Sequence, residues 1–357
     1  VTDSQDNATV QTPALETAPE VRRPLVSIGI PVLNGQRFLR DALESLLAQT
    51  LTDIEIIVCD NNSADATGAI AQEYVARDSR VRYFKNASDL GPAANHNLCF
   101  SHATGKYFKW HAHDDYCAPT FLEKCVAVLE RDPSIANCHT LTRIVDEQGK
   151  FLRNYEFRTD TDSPVASRRF GKLISVSHRQ HVGYEIFGVW RRAQLAETPL
   201  EKADAHGDRI LLVRMSLRGR FYEVPETLFF ARAHAKQSMN VHPRRGRLTR
   251  WIGTGPLPPA EWWDESKKGK IVFPEWNLLA EYWASISEVP TLSFWNRLRC
   301  RLWVGVWILL NWYKLVRDLV LALEHTIIQG SSGASDTPPA ARPPNVSKPH
   351  ETALARG

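Results

Sequence analysis

Several things are scarce in this sequence, and each shortage excludes a class of protein. The six cysteines, Cys59, Cys99, Cys117, Cys125, Cys138 and Cys300, never fall in the close pairs that zinc knuckles or redox dithiols need. Thiols scattered in this way are expected to be reduced and structural, as in the cytosol. Lys and Arg number 44 against 40 Asp and Glu. That excess is too thin for a nucleic-acid partner, which calls for a concentrated basic stripe. No apolar stretch follows a basic start at the N-terminus, so no secretory signal is read there. Long hydrophobic runs are missing as well: the uncharged run 302–313 has twelve residues, whereas a helix needs about 20 to cross a bilayer.

What is present suits one α/β domain with appendages. A chain of 357 residues can hold a domain of roughly 200–250 residues and more besides. Residues 1–23 are polar, carry Pro13 and Pro19, and predict a disordered leader. The run LVSIGIPV at 25–32, closed by Asn34-Gly35, predicts a buried strand. Phe38, Leu39, Ala42, Leu43, Leu46 and Leu47 then recur at helical spacing, and 54–58 reads as a second buried strand. Alternation continues with a helix over 66–77, a strand over 80–84, a helix over 92–101 and a strand over 107–110. Such alternation implies right-handed crossovers and a mostly parallel sheet covered by helices on both faces. The catalytic domain is expected over 24–240, an irregular Pro/Trp-rich segment over 241–274, a helical extension over 275–329 and a disordered tail over 330–357.

In open α/β sheets ligands bind at the carboxyl ends of the strands, and three polar clusters follow strands or precede helices there. Asp60-Asn61-Asn62-Ser63-Ala64-Asp65 can contact a base or ribose through its carboxylate, or can simply cap the helix that follows. His111-Ala112-His113-Asp114-Asp115-Tyr116 sets two carboxylates side by side behind a strand, which is costly unless a cation offsets their repulsion. An exposed capping turn is the plainer reading of that cluster, and a His-x-His-x-Asp zinc site a third. Asp204 and Gly207-Asp208 precede an amphipathic helix built on Ile210, Leu211, Val213 and Leu217, again either a cap or a functional carboxylate. Downstream, Arg232, His234, Gln237 and Ser238 follow the apolar run 227–231 and place a cation and an imidazole near a strand end.

In order and spacing these blocks resemble the family 2 glycosyltransferases, inverting enzymes of GT-A fold, over about 25–240. The likeness runs through Ile30-Pro31-Val32-Leu33-Asn34, then Ser45-Leu46-Leu47-Ala48-Gln49-Thr50, then Val58 to Asp65, then Gly91-Pro92-Ala93-Ala94-Asn95-His96-Asn97 with Ala103-Thr104-Gly105-Lys106-Tyr107. Asn61 and Asn62 stand where Asp and Gly are commoner, Ala112 replaces the first Asp of the family's metal motif, and Gly207 replaces the usual Glu of its Glu-Asp pair. The resemblance implies a nucleotide-diphosphate-sugar donor held by Pro31, Asn34, Asp60, Asn62, Asn97 and Asp114. It implies Mg²⁺ or Mn²⁺ on Asp115, Asp114 and His234, and Asp208 as the general base acting on an acceptor hydroxyl. It further implies polysaccharide or glycoconjugate assembly in the cytoplasm, with a carbohydrate or lipid-linked acceptor contacted from 150–205.

Two other readings share the layout. A sugar nucleotidyltransferase would want a Gly-rich, Lys- or Arg-bearing triphosphate loop near the first strand, and none is found. A non-catalytic nucleotide-sugar-binding or scaffold protein is compatible with Ala112 and Gly207. For the C-terminal extension, Trp303, Trp307, Trp312 and Tyr313 flanked by Arg297, Arg299, Arg301, Lys314 and Arg317 predict a helix within 295–325 that lies on an anionic membrane face. Packing on the catalytic domain or on a second subunit is the alternative.

Overall fold

The computed structural model describes residues 23–176, 181–235 and 260–332. The expected leader, most of the expected tail, Gln237, Ser238 and the first part of the irregular segment lie outside the described residues.

The N-terminal half is built as the alternation predicts. Strands β1 (Val26–Val32), β2 (Ile54–Asp60), β3 (Val81–Lys85) and β4 (Tyr107–Trp110) are parallel in the order β3-β2-β1-β4. Helices α1 (Leu39–Leu47), α2 (Thr67–Arg77) and α3 (Pro92–Ser101) connect them. Every residue of β1 and β2 is buried, which is why these strands read as unbroken apolar runs rather than alternating ones.

Beyond β4 the chain continues through β5 (Tyr116–Cys117), α4 (Phe121–Arg131), β6 (Ile135–Val145), β7 (Phe151–Asn154), α5 (Ala166–Ser175) and a 3₁₀ turn at Tyr184–Phe187. It then forms β8 (Val189–Arg191), α6 (Arg192–Leu195), α7 (Gly207–Arg218) and β9 (Arg220–Arg232). The short β8 runs antiparallel between β4 and β6 and so splices the two halves into one sheet, β3-β2-β1-β4-β8-β6-β9-β5, with β7 on β6. The two longest ladders, β1–β2 and β6–β9, are parallel.

Each face of the sheet carries its own core. Leu39, Leu43 and Leu46 of α1 and Phe121, Leu122 and Leu129 of α4 pack on one side. Phe170 of α5 and Ile210, Leu211 and Met215 of α7 pack on the other.

The C-terminal extension is helical as expected, but in pieces: α8 (Ala260–Trp263), α9 (Pro274–Ser287) and the long α10 (Phe294–Ser332). The break after α9 coincides with Pro290, which has no N–H for a helical bond. Arg297 caps the end of α9 by donating to the carbonyls of Ile286 (2.9 Å) and Val289 (3.1 Å). Leu278 and Tyr282 of α9 and Cys300, Val304 and Trp307 of α10 enter the α5–α7 core, so one face of the extension belongs to the domain. None of the described helices is long and apolar enough to cross a membrane. All six cysteines are buried and unbridged.

Candidate active site

At the carboxyl end of β2 the Asp60 side chain is fully buried and both its oxygens are engaged. Oδ1 accepts the Ser63 amide (2.8 Å) and Oδ2 accepts the Tyr83 hydroxyl (2.7 Å). The loop after β1 is sewn to the same turn. Ser63 Oγ accepts the Asn34 amide (2.8 Å), and Asn34 Oδ1 accepts the Ala64 amide (3.0 Å). Asn34 and Asn62 both hold positive φ, 53° and 67°, a conformation that Asn tolerates better than most residues. Asn62 is exposed at the tip of the turn, whereas Pro31 is buried within β1. Ala66 holds the N-cap position of α2, and Asp65 just before it accepts the Thr67 amide (3.0 Å). Asn97 is occupied internally: its amide group pairs with both backbone groups of Glu201, at 2.8 and 3.1 Å.

The second cluster forms a compact electrostatic unit. Asp114 Oδ2 lies 2.8 Å from His234 Nε2, which brings together two residues 120 apart in sequence. Burial opposes charge on Asp114, but the His234 hydrogen bond and the neighbouring His113 hold its carboxyl below the usual range. Asp115, by contrast, is pushed well up by burial and by the charge of Asp114, although its Oδ1 accepts the Arg232 amide at 2.9 Å. A second negative charge is thus costly here without a cation.

Gly35 belongs to the same unit. A Cβ on it would lie 2.7 Å from the His113 ring and 2.4 Å from Val32, so only glycine lets the β1 loop pass so close.

Arg232, the cation read near this strand end, is committed within the protein. Its guanidinium donates to the carbonyls of Asp114 (2.9 Å) and Glu147 (2.6 Å) and pairs with Asp41 (2.9 Å), while lying over the Phe38 ring. A cation committed in this way clamps the Asp114–Asp115 turn and is not presented to a diphosphate. The zinc reading fails for a related reason. His111 is fully buried, with Nε2 on the Asp115 carbonyl (3.2 Å) and Nδ1 facing Cys117, and burial lowers its pKa. Among the described residues no three His, Cys, Asp or Glu side chains form a metal-binding group by themselves. A hard divalent ion that takes one or two carboxylates and completes its shell with phosphate oxygens still fits Asp114 and Asp115.

Asp208 stands in the first turn of α7, where its Oδ1 accepts the adjacent Arg209 amide (2.6 Å). Solvent reaches it. The protein crowded around it nevertheless raises its carboxyl above the ordinary value, against the opposing pull of Arg209, His181 and His96. Gly183 lies against it, where a Cβ would come within 3.8 Å of Asp208 Oδ2.

His96 has no role assigned from the sequence pattern, yet it joins the clusters, since it lies within electrostatic reach of both His113 and Asp208. The His96 Nδ1 faces the Pro92 carbonyl at 2.9 Å, which orients the ring. Its only sequence signal is its place inside the block 91–97. Lys109 also escapes sequence reasoning. It is fully buried in β4, its ammonium bonded to the carbonyls of Trp110 and Phe187 and set over the rings of Phe121 and Phe229. A lysine inside an apolar strand gives no pattern by which to find it.

The expected acceptor side, 150–205, contributes Tyr155 and Tyr184, packed edge to face at 4.9 Å, and a buried His181–Glu185 pair at 2.9 Å. Tyr184 lies within electrostatic reach of Asp115 and Asp114.

The architecture and site define an α/β protein with a carboxylate cluster at its strand ends, and comparison with known proteins places it more closely. The profile of Glycosyl transferase family 2 matches residues 27–217, and the chain belongs to that family. A Rickettsia bellii glycosyltransferase is 39% identical over 145 residues, 39% of this chain and 20% of that protein. The chondroitin synthase of Escherichia coli is 36% identical over 143 residues, again 39% of this chain and 20% of the relative. That of Pasteurella multocida is 32% identical over 201 residues, 56% of this chain and 20% of the relative. The chain thus matches about a fifth of the length of each of these relatives, 20%. Among solved structures, S. aureus TarS 1–349 in complex with UDP-GlcNAc superposes with a TM-score of 0.51 at 17% identity, covering 85% of this chain and 92% of that one. The fold is accordingly the expected α/β, GT-A-like one with C-terminal helices.

Proposed function

We propose that this chain is an inverting glycosyltransferase that moves a sugar from a nucleotide-diphosphate-sugar donor to an acceptor hydroxyl. The single observation that carries the reading is that Asp114, Asp115 and His234 meet at the strand ends, with His96 in electrostatic reach both of the adjoining His113 and of Asp208 at the head of α7. Family membership and the UDP-GlcNAc complex of TarS support the donor class. The likeness to chondroitin synthases supports a polysaccharide or glycoconjugate product; a carbohydrate or lipid-linked acceptor at the cytoplasmic face of a membrane is part of the same proposal.

In this mechanism the Asp60 turn, with Asn34 and Asn62 at its rim, receives the nucleoside, while Pro31, buried in β1, and Asn97, tied to Glu201, act as supports and not as ligand contacts. Asp208 takes the acceptor proton as the hydroxyl oxygen attacks the anomeric carbon. The sugar–phosphate bond breaks on the opposite side, which inverts the configuration. Its raised pKa suits a base, because proton affinity nearer neutrality strengthens the pull on a hydroxyl. Arg232 holds the Asp114–Asp115 turn in place throughout. Mg²⁺ or Mn²⁺, held by Asp114 and Asp115 with His234 beside them, would supply Lewis-acid stabilisation of the departing diphosphate.

A thermal-shift screen of nucleoside diphosphates and nucleotide sugars, with and without Mn²⁺, tests the reading, because native-state ligands raise apparent stability. A nucleotide sugar that stabilises the chain and is turned over in a way that depends on Asp208 is the expected result. Binding without turnover would leave a nucleotide-sugar-binding protein in its place.

A further inference from the structure

Among the described residues, the outer face of α10 has no partner in the domain. Along its length Cys300, Val304, Trp307, Leu315 and Asp318 are buried against α5 and α9, as a 3.6-residue repeat requires of an inward stripe. On the opposite side Leu302, Leu309, Trp312, Leu319 and Leu323 are each half or more exposed. From Leu298 to Leu323 this apolar stripe runs about 38 Å at 1.5 Å per residue. A contiguous surface of that size marks an interaction site.

Charge identifies the occupant. Arg301 lies on the α9 side of the stripe, 5.7 Å over the Trp283 ring, and the exposed Arg299 stands one helical turn before Trp303, whose ring meets Gly171 of α5. The exposed Lys172 of α5 follows Gly171, whose position meets the ring of Trp303. Between 294 and 323 the one carboxylate is Asp318, and it is buried against Arg317 at 3.0 Å. A second copy docked through this face would set cationic rims against cationic rims, with no exposed carboxylate between 294 and 323 to answer them. An anionic lipid surface answers them, and tryptophans at the stripe's margins suit the headgroup region.

We propose that α10 docks its outer face on an anionic membrane surface, lying in the plane of the headgroups. The inner face then fixes how the site is presented. Trp307 packs edge-on to Tyr282 at 5.6 Å, and the Tyr282 hydroxyl accepts from Arg209 at 2.9 Å, one residue from Asp208. Attachment of α10 therefore orients the helix that bears Asp208. The docking itself holds whatever reaction the site performs.

The test is co-sedimentation of the full chain with vesicles of phosphatidylcholine containing phosphatidylglycerol, and with phosphatidylcholine alone, alongside the double variant Leu309→Glu, Trp312→Glu. The wild-type chain should sediment with the anionic vesicles, at least tenfold more than with neutral ones, and the variant should lose that binding. Circular dichroism and the nucleotide-induced thermal shift, measured on the same samples, show that the variant is folded and that the site is intact. Wild-type protein left in the supernatant would overturn the proposal, as would equal binding by the folded variant. So would light scattering that shows a dimer dissolved by these substitutions in the absence of vesicle binding.

Discussion

At the residue scale, position matters as much as residue type. Asp114 and Asp115 are neighbours, yet one is held charged by His234 while the other is pushed toward neutrality by burial and by Asp114 itself. A cation would relieve that conflict, so Asp115→Asn should abolish transfer and the Mn²⁺-dependent part of nucleotide affinity while leaving the circular dichroism unchanged. Full metal-dependent activity in this variant would place the metal elsewhere. Asp208→Asn should lower the rate by roughly 10²–10⁴, the range for a positioned acid or base, with donor binding retained. A loss under about threefold would move the base, with Asp204 next in line. The raised pKa of Asp208 also sets the sign of the pH dependence. The base works only when ionised, so kcat/KM should fall on acidification at a higher pH than an ordinary carboxylate gives, about 4.

At the element scale, the parallel half of the sheet was legible because its strands are continuous apolar runs between helices of clear period, as in Val26–Val32 and Ile54–Asp60. The other half was not legible. β5 and β8 are two and three residues long and pair through registers that no local pattern announces. The Asp60, Asp114–Asp115 and Asp208 blocks were visible as polar breaks at the ends of such elements. The commitment of Arg232 to Asp41 and Glu147 was hidden, because it depends on contacts 191 and 85 residues away. The seating of α10 on α5 supplies a test at this scale. A Cβ on Gly171 would fall 2.3 Å from the Trp303 ring, within the helix–helix contact. Gly171→Ala should therefore destabilise the chain by about 1–3 kcal/mol through overpacking, despite the better helix propensity of Ala. Urea unfolding measures this, and an unchanged midpoint would mean that the two helices are not in contact there.

At the scale of the whole molecule, the ionisable groups divide by the sign of their pH response: the carboxyls of Asp115, Asp208 and Glu275 are raised, while several buried histidines and Glu185 are lowered. His206 is held down to about 3 by burial, with Arg209, Lys314 and Arg317 adding to the effect, and His111 and His139 are lowered by burial as well. Glu185 is held down to about 2 by its hydrogen bond from His181, against the cost of its burial. In each case the unfolded chain binds the proton more tightly than the folded one, so stability rises with pH across the interval between the two values. For the histidines that interval opens near 6.5, and for His206 it extends to about 3. For Glu185 it runs from 4.5 to about 2. These lowered groups should accordingly contribute a loss of stability that begins as pH falls below about 6.5, opposed by the raised carboxyls of Asp115, Asp208 and Glu275. His206→Gln removes one of these proton sites at the junction of α7 with α9 and α10, where Glu275 lies 4.0 Å from the imidazole. The variant will have its own stability at neutral pH, so the informative quantity is the slope. Urea unfolding free energies between pH 7.5 and 4 should fall less steeply for His206→Gln than for the wild type. Parallel slopes would show that His206 is not buried in its neutral form.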